Sequence, residues 1–502
     1  MKKHKAKPVM LQGTSSHVGK SVLTAAICRI LKNRGLEVAP FKAQNMSLNS
    51  FVAKEGGEIG VAQAFQAEAA QVEPSIHFNP ILLKPSGDLV SQVIIHGRVF
   101  GAMNAREYHA FKKEAKKFVA ESYKRLEKEY DVIVIEGAGS PAEINLRKND
   151  LANMGMADIA DSPVLLIGDI DRGGVFASLF GTMELLTKKE RARVAGFIIN
   201  KFRGDVTLLK SATAYLTKRT GVSTLGIVPY ISTAALPDED SVSLERVYSK
   251  ARSNRATDVN VKVIRLPRIS NFTDFDPFKT EQGVSLDFIE KPEDLNGARL
   301  VIIPGSKNTI EDLIWLKEKG FDSAIRRFVK SGCMVAGICG GFQMLGKVVK
   351  DPSGVESRVK SAKGLGLLDA VTTLEKNKKT FQVDAYSAMY GGCKLGGYEI
   401  HMGITVCNAK PFARIIRRNK KAIDIDDGGV SKDGAIWGTY IHGIFDNDAF
   451  RQGLIKELRG ANGADNGKTE PFRDVKNKAM ENLAEVVRQS IDMERLLRII
   501  GI

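Results

Sequence analysis

The chain lacks most of the features that would mark a secreted, membrane-spanning or nucleic-acid-binding protein. It has five cysteines in 502 residues. They are odd in number and scattered, so they make no disulfide framework and fit a reducing cytoplasm. No stretch approaches the ~20 continuous apolar residues that a membrane-spanning helix needs, so no membrane association is expected. The start, Met1-Lys2-Lys3-His4-Lys5-Ala6-Lys7, leads only into Val9-Met10-Leu11-Gln12-Gly13. That run is too short for a signal h-region and reads as a first core strand. No basic run is interleaved with aromatics, and no nucleic-acid module is recognisable. The net charge of +16 therefore fits a lysine-rich solvated surface or the attraction of anionic small molecules as well as any other partner, and no nucleic acid is expected. Internal repeats are absent, and nothing indicates an oligomeric state.

What is present is a long chain, 43% hydrophobic, enough for two or three domains. Its first half alternates apolar strands (Pro8–Gly13, Glu37–Phe41, Asp131–Gly137, Pro163–Asp169, Val194–Asn200, Thr224–Pro229) with helical patterns (Lys20–Asn33, Ala62–Ala70, Ala105–Glu129, Val206–Arg219). Short strands separated by helices predict a parallel sheet covered on both faces. Composition then turns polar and charged, with little periodicity. A second alternation begins at Val261-Lys262-Val263-Ile264 and continues with strands at Arg299–Ile303 and Cys333–Ile338. The expected division is 1–235, a linker at 236–259, a second domain at 260–450 and a helical extension at 451–502 packed on the second domain. The fold class is α/β, with two doubly wound domains.

Two motifs carry chemistry. The strand Met334-Val335-Ala336 runs into Gly337-Ile338-Cys339-Gly340-Gly341-Phe342-Gln343, which places Cys339 where strand turns sharply into helix. The helix N-terminus favours a thiolate there, and the flanking glycines permit the turn. Such an elbow implies acyl transfer through a thioester. A base is available in Trp437-Gly438-Thr439-Tyr440-Ile441-His442-Gly443, whose imidazole would hold the thiolate and protonate a leaving amine.

The other motif is Gly13-Thr14-Ser15-Ser16-His17-Val18-Gly19-Lys20-Ser21, between a strand and a helix. Gly13 stands one residue earlier than in the strict phosphate-loop spacing. Its chemistry is nonetheless that of a nucleotide site: backbone N–H groups for phosphate, Lys20 for its charge, and Ser21 for Mg²⁺.

The first half resembles the dethiobiotin synthetase group of phosphate-loop ligases, which implies a P-loop NTPase-like parallel sheet that binds ATP and Mg²⁺. Lys42 in Phe41-Lys42-Ala43-Gln44-Asn45 matches that group's second lysine near the phosphates. Glu136, which ends Val132–Ile135, looks like its Mg²⁺ ligand; Glu58 is a weaker metal candidate. Asn200, before Lys201, is either an adenine contact or an ordinary turn residue.

The second half resembles class I, triad-type glutamine amidotransferases, which implies a flavodoxin-like fold and ammonia release from glutamine by Cys339 and His442. The resemblance draws the oxyanion hole from the backbone N–H of Gly340 and from Gly305 and Ser306 in Pro304-Gly305-Ser306-Lys307-Asn308-Thr309. Gln343 is either a holder of glutamine or a surface helix residue. The position two residues after His442, where this class commonly has a carboxylate, is Ile444. The expectation is thus a Cys–His pair whose third member is missing or comes from elsewhere. Gly397-Tyr398-Glu399-Ile400-His401 offers Glu399 and His401 for that third role, with nothing in the sequence to place them near His442, and His401 is a rival base.

The order of the halves resembles enzymes that amidate corrin side chains, most closely the cobyric acid synthase family. That resemblance rests on Lys42–Asn49, Ser140–Leu146, Ala152–Gly155, Asp169–Phe176, Asn200–Asp205 and Pro304–Thr309. It implies amidation of the b, d, e and g carboxylates of adenosylcobyrinic acid a,c-diamide, with ATP and glutamine consumed. Arg172 and Arg203 are either holders of a corrin polycarboxylate or ordinary surface arginines. The a,c-diamide synthase or another amidoligase is an alternative, as is a nucleotide switch with an inactive amidotransferase-like domain.

Overall fold

The computed structural model describes residues 5–86, 89–231, 259–460 and 469–502. Most of the expected linker at 236–259 lies outside the described residues. The first domain is built on a six-stranded parallel sheet in the order Thr224–Pro229, Val194–Phe202, Val164–Asp169, Lys7–Gly13, Val132–Glu136, Val38–Phe41. Val132–Glu136 is buried at every position, as a strand covered on both faces by helices must be. Asn104 starts the long helix Ala105–Glu129 with a capping box to Glu107, satisfying N–H groups that a helix start leaves unpaired. The alternation in the sequence also hides an insertion, a second sheet of Gln44–Met46, Ile81–Pro85, Val90–Ile95 and Arg98–Asn104. A short hairpin, Ser50–Val52 with Glu58–Gly60, reaches out beside it.

The second domain has a sheet ordered Val284–Ile289, Val259–Ile264, Leu300–Ile303, Met334–Ile338, Ile436–Thr439, Gly429–Val430, parallel except for the last pair. Against it lies a largely antiparallel sheet dominated by Ala370–Ser387 and Cys393–Cys407. This sheet takes up Ile441–His442, with Tyr398 opposite His442. The hairpin of the first domain packs here, where Val52 joins Tyr398 and Ile400 in one apolar cluster.

The helix Asp448–Arg459 buries Phe450, Leu454 and Ile455 in the core of the second domain. The following helices do not. Phe472–Ser490 and Met493–Ile500 place Met480, Leu483, Val487, Leu496 and Ile500 in the core of the first domain. Arg29, almost fully buried, fixes that packing through a 2.9 Å ion pair with Glu481. The amphipathic pattern showed that these helices have an apolar face, but it carried no information on which sheet would cover it. All five cysteines are free, and among the described residues no helix is long and apolar enough to cross a membrane.

Candidate active sites

Strand Met334–Ile338 ends in Cys339 at φ 52°, ψ −105°, a backbone state that a residue with a side chain holds only when its surroundings force it. They do so here. The Cys339 N–H donates to the Thr439 carbonyl at 2.8 Å, and the next turn is pressed against the neighbouring strand. A Cβ on Gly341 would strike the Ile303 carbonyl oxygen, so only glycine lets the helix start this close to the sheet. The Cys339 side chain is 7% exposed, and its Sγ lies 3.4 Å from the Ile400 carbonyl oxygen.

On one side His442 shares a pocket with Cys339. On the other, its Nδ1 lies 2.6 Å from Asp274 Oδ2. The second Asp274 oxygen accepts the Gly443 N–H at 3.1 Å, and the Tyr398 ring stacks on the imidazole at 5.3 Å and 17°. Burial disfavours the charged imidazole, yet Asp274 and Cys339 outweigh it and push the His442 pKa up to about 10.

The expected Cys–His pair is therefore a triad in geometry. Its acid comes from the 3₁₀ stretch Phe272–Thr280, 168 residues before the histidine, and Ile444 at the usual position is buried in the core. The first domain helps hold that stretch. The Asn271 amide accepts the Ser50 N–H at 3.0 Å and donates to the Ser50 carbonyl at 3.1 Å, and Asn49 Oδ1 accepts the Phe272 N–H.

His401 faces the same pocket but is committed elsewhere. Its Nδ1 lies 2.8 Å from the Gly403 carbonyl and its Nε2 3.4 Å from Glu399. Its ring stacks on Tyr440, and burial holds its pKa below the usual value. Glu399 is clamped by both nitrogens of the Arg418 fork at 2.6 and 2.7 Å. Neither residue is placed as a partner of Cys339 or His442.

Gly305–Ser306 pairs with Ile269–Ser270 as a two-residue ladder. The Ser306 nitrogen lies 2.9 Å from where a Gly340 Cβ would stand, so the two expected oxyanion donors come from adjoining backbone. The Ser306 hydroxyl donates to Asp312 at 2.7 Å, whose pKa burial pushes up to about 6. Gln343 is a buried residue rather than a surface one. Its Oε1 accepts from Thr309 Oγ1 at 2.9 Å and its Nε2 donates to Tyr440 at 3.1 Å.

In the first domain, Thr14 N–H still bonds the Ile167 carbonyl, and the loop then folds over so that Lys20 Nζ donates to Ser15 and Gly139 carbonyls at 3.0 and 3.1 Å. The ammonium also lies 3.0 Å from where a Gly13 Cβ would stand. Gly19 has φ 95°, with the Asn200 amide where a Cβ would point. Asn200 Nδ2 donates to the Val18 carbonyl at 2.8 Å, so it braces the loop. Glu136 Oε1 accepts from Ser21 Oγ and Lys42 Nζ, both at 2.8 Å, and Oε2 accepts from Gln66 Nε2 at 2.5 Å. A hydroxyl and one carboxylate beside a phosphate loop suit Mg²⁺, which keeps waters and phosphate oxygens as its other ligands. Among the described residues no three His, Cys, Asp or Glu side chains cluster as a protein-only cage.

Glu58 does not belong to this set. It is 1% exposed on the interdomain hairpin, paired with Lys84 at 2.6 Å and with Lys378 of the other domain. Burial works against its charge, but the two ammonium groups outweigh that and hold its pKa far below the carboxylate range. Its lone pairs are committed to lysine, which corrects its reading as a metal ligand. Arg172 lies 3.8 Å from Asp169 and Arg203 3.1 Å from Asp171, the latter also stacked over Tyr230, and both remain substantially exposed.

Sequence reasoning missed Asp274, Gln66 and the Asn271 clasp. Only Asp274 left a signal, an acid between Phe272, Phe275 and Phe278, where burial demands a partner.

Comparison with known proteins agrees with the two-domain α/β architecture. The CobQ/CobB/MinD/ParA nucleotide binding domain matches residues 9–243, and the CobB/CobQ-like glutamine amidotransferase domain matches 260–450. Cobyric acid synthase of Syntrophobacter fumaroxidans is 47% identical over 99% of both chains. That of Sorangium cellulosum is 50% identical over 98% of both. That of Moorella thermoacetica is 49% identical over 99% of this chain and 98% of its own. With the nucleotide fold, the amidotransferase fold and the full length all matched, this chain belongs to the cobyric acid synthase family.

Proposed function

We propose that the protein is an ATP- and glutamine-dependent ligase that amidates the b, d, e and g carboxylates of adenosylcobyrinic acid a,c-diamide in cobalamin biosynthesis. The observation that carries the reading is the Cys339–His442–Asp274 array in a domain packed against a phosphate-loop domain of the same chain. In this reading the Cys339 thiolate attacks the side-chain amide carbon of glutamine. The oxyanion that forms accepts hydrogen bonds from the Gly340 and Ser306 N–H groups. The His442 imidazolium gives its proton to the leaving nitrogen, ammonia departs, and water hydrolyses the thioester to glutamate.

In the first domain, the phosphate loop and Lys20 hold ATP while a corrin carboxylate attacks the γ-phosphorus and ADP leaves. Ammonia then displaces phosphate from the acyl phosphate, giving the carboxamide. Ser21 and Glu136 would hold Mg²⁺, which supplies charge neutralisation at the phosphates. Lys42, now on Glu136, is within reach of the same place.

The test is incubation with ATP, Mg²⁺, glutamine and adenosylcobyrinic acid a,c-diamide, with amides counted by mass spectrometry. Four added amides are expected. No gain with that substrate, together with amidation of the cobyrinic acid a and c positions, would make this the a,c-diamide synthase instead.

A further inference from the structure

The pocket that holds Cys339 and His442 is also lined by Lys84, Lys307, Lys378 and Glu356. Three of these are lysines, and two of the three are spoken for, because Lys84 and Lys378 both pair with Glu58. Lys307 is different. It is 7% exposed, yet its ammonium makes no hydrogen bond or ion pair among the described residues. A buried ammonium that no group contacts directly is disfavoured unless a ligand brings the opposite charge to it. Its backbone is fixed by a 3.0 Å bond from its N–H to the Arg268 carbonyl, one residue beyond the Ser306 oxyanion donor.

Glu356 stands on the same side of the pocket. One of its oxygens, Oε2, accepts the Thr309 N–H at 3.0 Å, and its carbonyl accepts from Asn308 Nδ2 at 2.8 Å. The same Thr309 bonds Gln343 through its hydroxyl, so acid, threonine and glutamine form one wall. Burial pushes the Glu356 pKa up and the Lys307 pKa down, each only partly opposed by the other. The pocket therefore presents one cation and one anion that are incompletely compensated, beside a nucleophile aimed at a carboxamide. A ligand that compensates both carries a carboxylate and an ammonium close together, with an amide further along. Those are the groups of an α-amino acid amide such as glutamine.

We propose that Lys307 and Glu356 are the specificity residues of the glutaminase site, Lys307 binding the α-carboxylate of glutamine and Glu356 its α-ammonium. This rests on the reading of Cys339 as a glutaminase nucleophile, and the two can fail separately.

The experiment uses the full chain and measures product release from L-glutamine, from γ-aminobutyramide, which lacks the α-carboxylate, and from glutaramate, which lacks the α-ammonium. For Lys307→Met, the KM for glutamine should rise about 10- to 100-fold, the usual worth of a hydrogen bond to a charged group. The kcat should stay close to wild type, and kcat/KM for γ-aminobutyramide should not fall. Lys307→Arg should recover part of the loss. Glu356→Gln, which keeps an acceptor for Thr309, should lose its preference for glutamine over glutaramate.

A fall in kcat at constant KM would assign Lys307 to the oxyanion or to structure and overturn the proposal. So would a parallel fall for glutamine and γ-aminobutyramide. Ammonia-dependent amidation reports whether each variant is folded. If wild-type protein releases no glutamate from glutamine, it is the glutaminase reading that fails.

Discussion

Replacing Asp274 by Asn tests the triad with little change in volume. Asp274 Oδ1 accepts the Gly443 N–H and Oδ2 faces His442 Nδ1 at 2.6 Å. An asparagine that keeps its oxygen on Gly443 must turn its NH₂ toward Nδ1. The imidazole then has to accept at Nδ1 and carry its proton on Nε2, the nitrogen left for Cys339. In that tautomer it cannot take the thiol proton. The variant also loses the largest influence that raises the His442 pKa, which leaves Cys339 alone to oppose burial. Positioned acid–base catalysis is worth about 10²- to 10⁴-fold, and glutamine-dependent kcat should fall by about 10²- to 10³-fold. Ammonia-dependent amidation should stay near wild type. The stability effect has a definite sign. A histidine whose folded pKa is raised stabilises the fold fully below its unfolded pKa near 6.5, and that stabilisation is lost as pH rises through about 10. The wild-type advantage in Tm over Asp274→Asn should therefore be largest in mildly acidic buffer and shrink toward pH 10. A variant that kept glutamine-dependent kcat within about threefold of wild type, far less than a positioned base contributes, would refute the role given to Asp274.

Cys339→Ser should abolish amidation with glutamine and retain it with added ammonia, measured as corrin amide formed; loss of both in a folded protein would contradict the division of labour between the domains. Lys20→Ala should remove amidation with either nitrogen source, and normal ammonia-dependent product would rule out the phosphate loop as the ATP site. Glu58→Gln leaves Lys84 and Lys378 buried without their counter-charge, which should cost about 3–5 kcal/mol in denaturant unfolding. Because the Glu58 pKa is depressed, its contribution is present above the normal carboxylate pKa and lost as pH falls through the acid range, so the wild-type advantage should vanish there.

The elements that the sequence predicts best are those whose signal is local. The helices Lys20–Asn33 and Ala105–Glu129 and the strand Thr224–Pro229 are found with the expected bounds, because apolar periodicity and capping act within a few residues. The sheet inserted at Gln44–Asn104 has no counterpart among the expected strands, which jump from Glu37–Phe41 to Asp131–Gly137 with only the helices Ala62–Ala70 and Ala105–Glu129 between them. The long hairpin Ala370–Cys407 also went unread. Its faces are not cleanly divided, because Ile404 and Val406 are exposed while Thr372, Glu399 and His401 are buried. Cys339 and His442 could be picked out because the elbow and the His-Gly strand end are local chemistry. Glu58 shows the opposite case, where a flexible-looking glycine-rich loop holds a carboxylate whose partners are 26 and 320 residues away.

The sequence by itself determined two chemistries and their order, a phosphate loop at Gly13–Ser21 and a cysteine elbow at Cys339. Each depends on backbone geometry that a few adjacent residues dictate. Only the tertiary structure decided which acid serves His442, which domain receives the last two helices, and what compensates Glu58. Those outcomes rest on pairing across the fold, where burial makes an unpaired charge costly and only the packed chain can supply the partner. The acid that meets His442 was in the sequence throughout, as Asp274. Nothing short of folding brings it to 2.6 Å from the histidine.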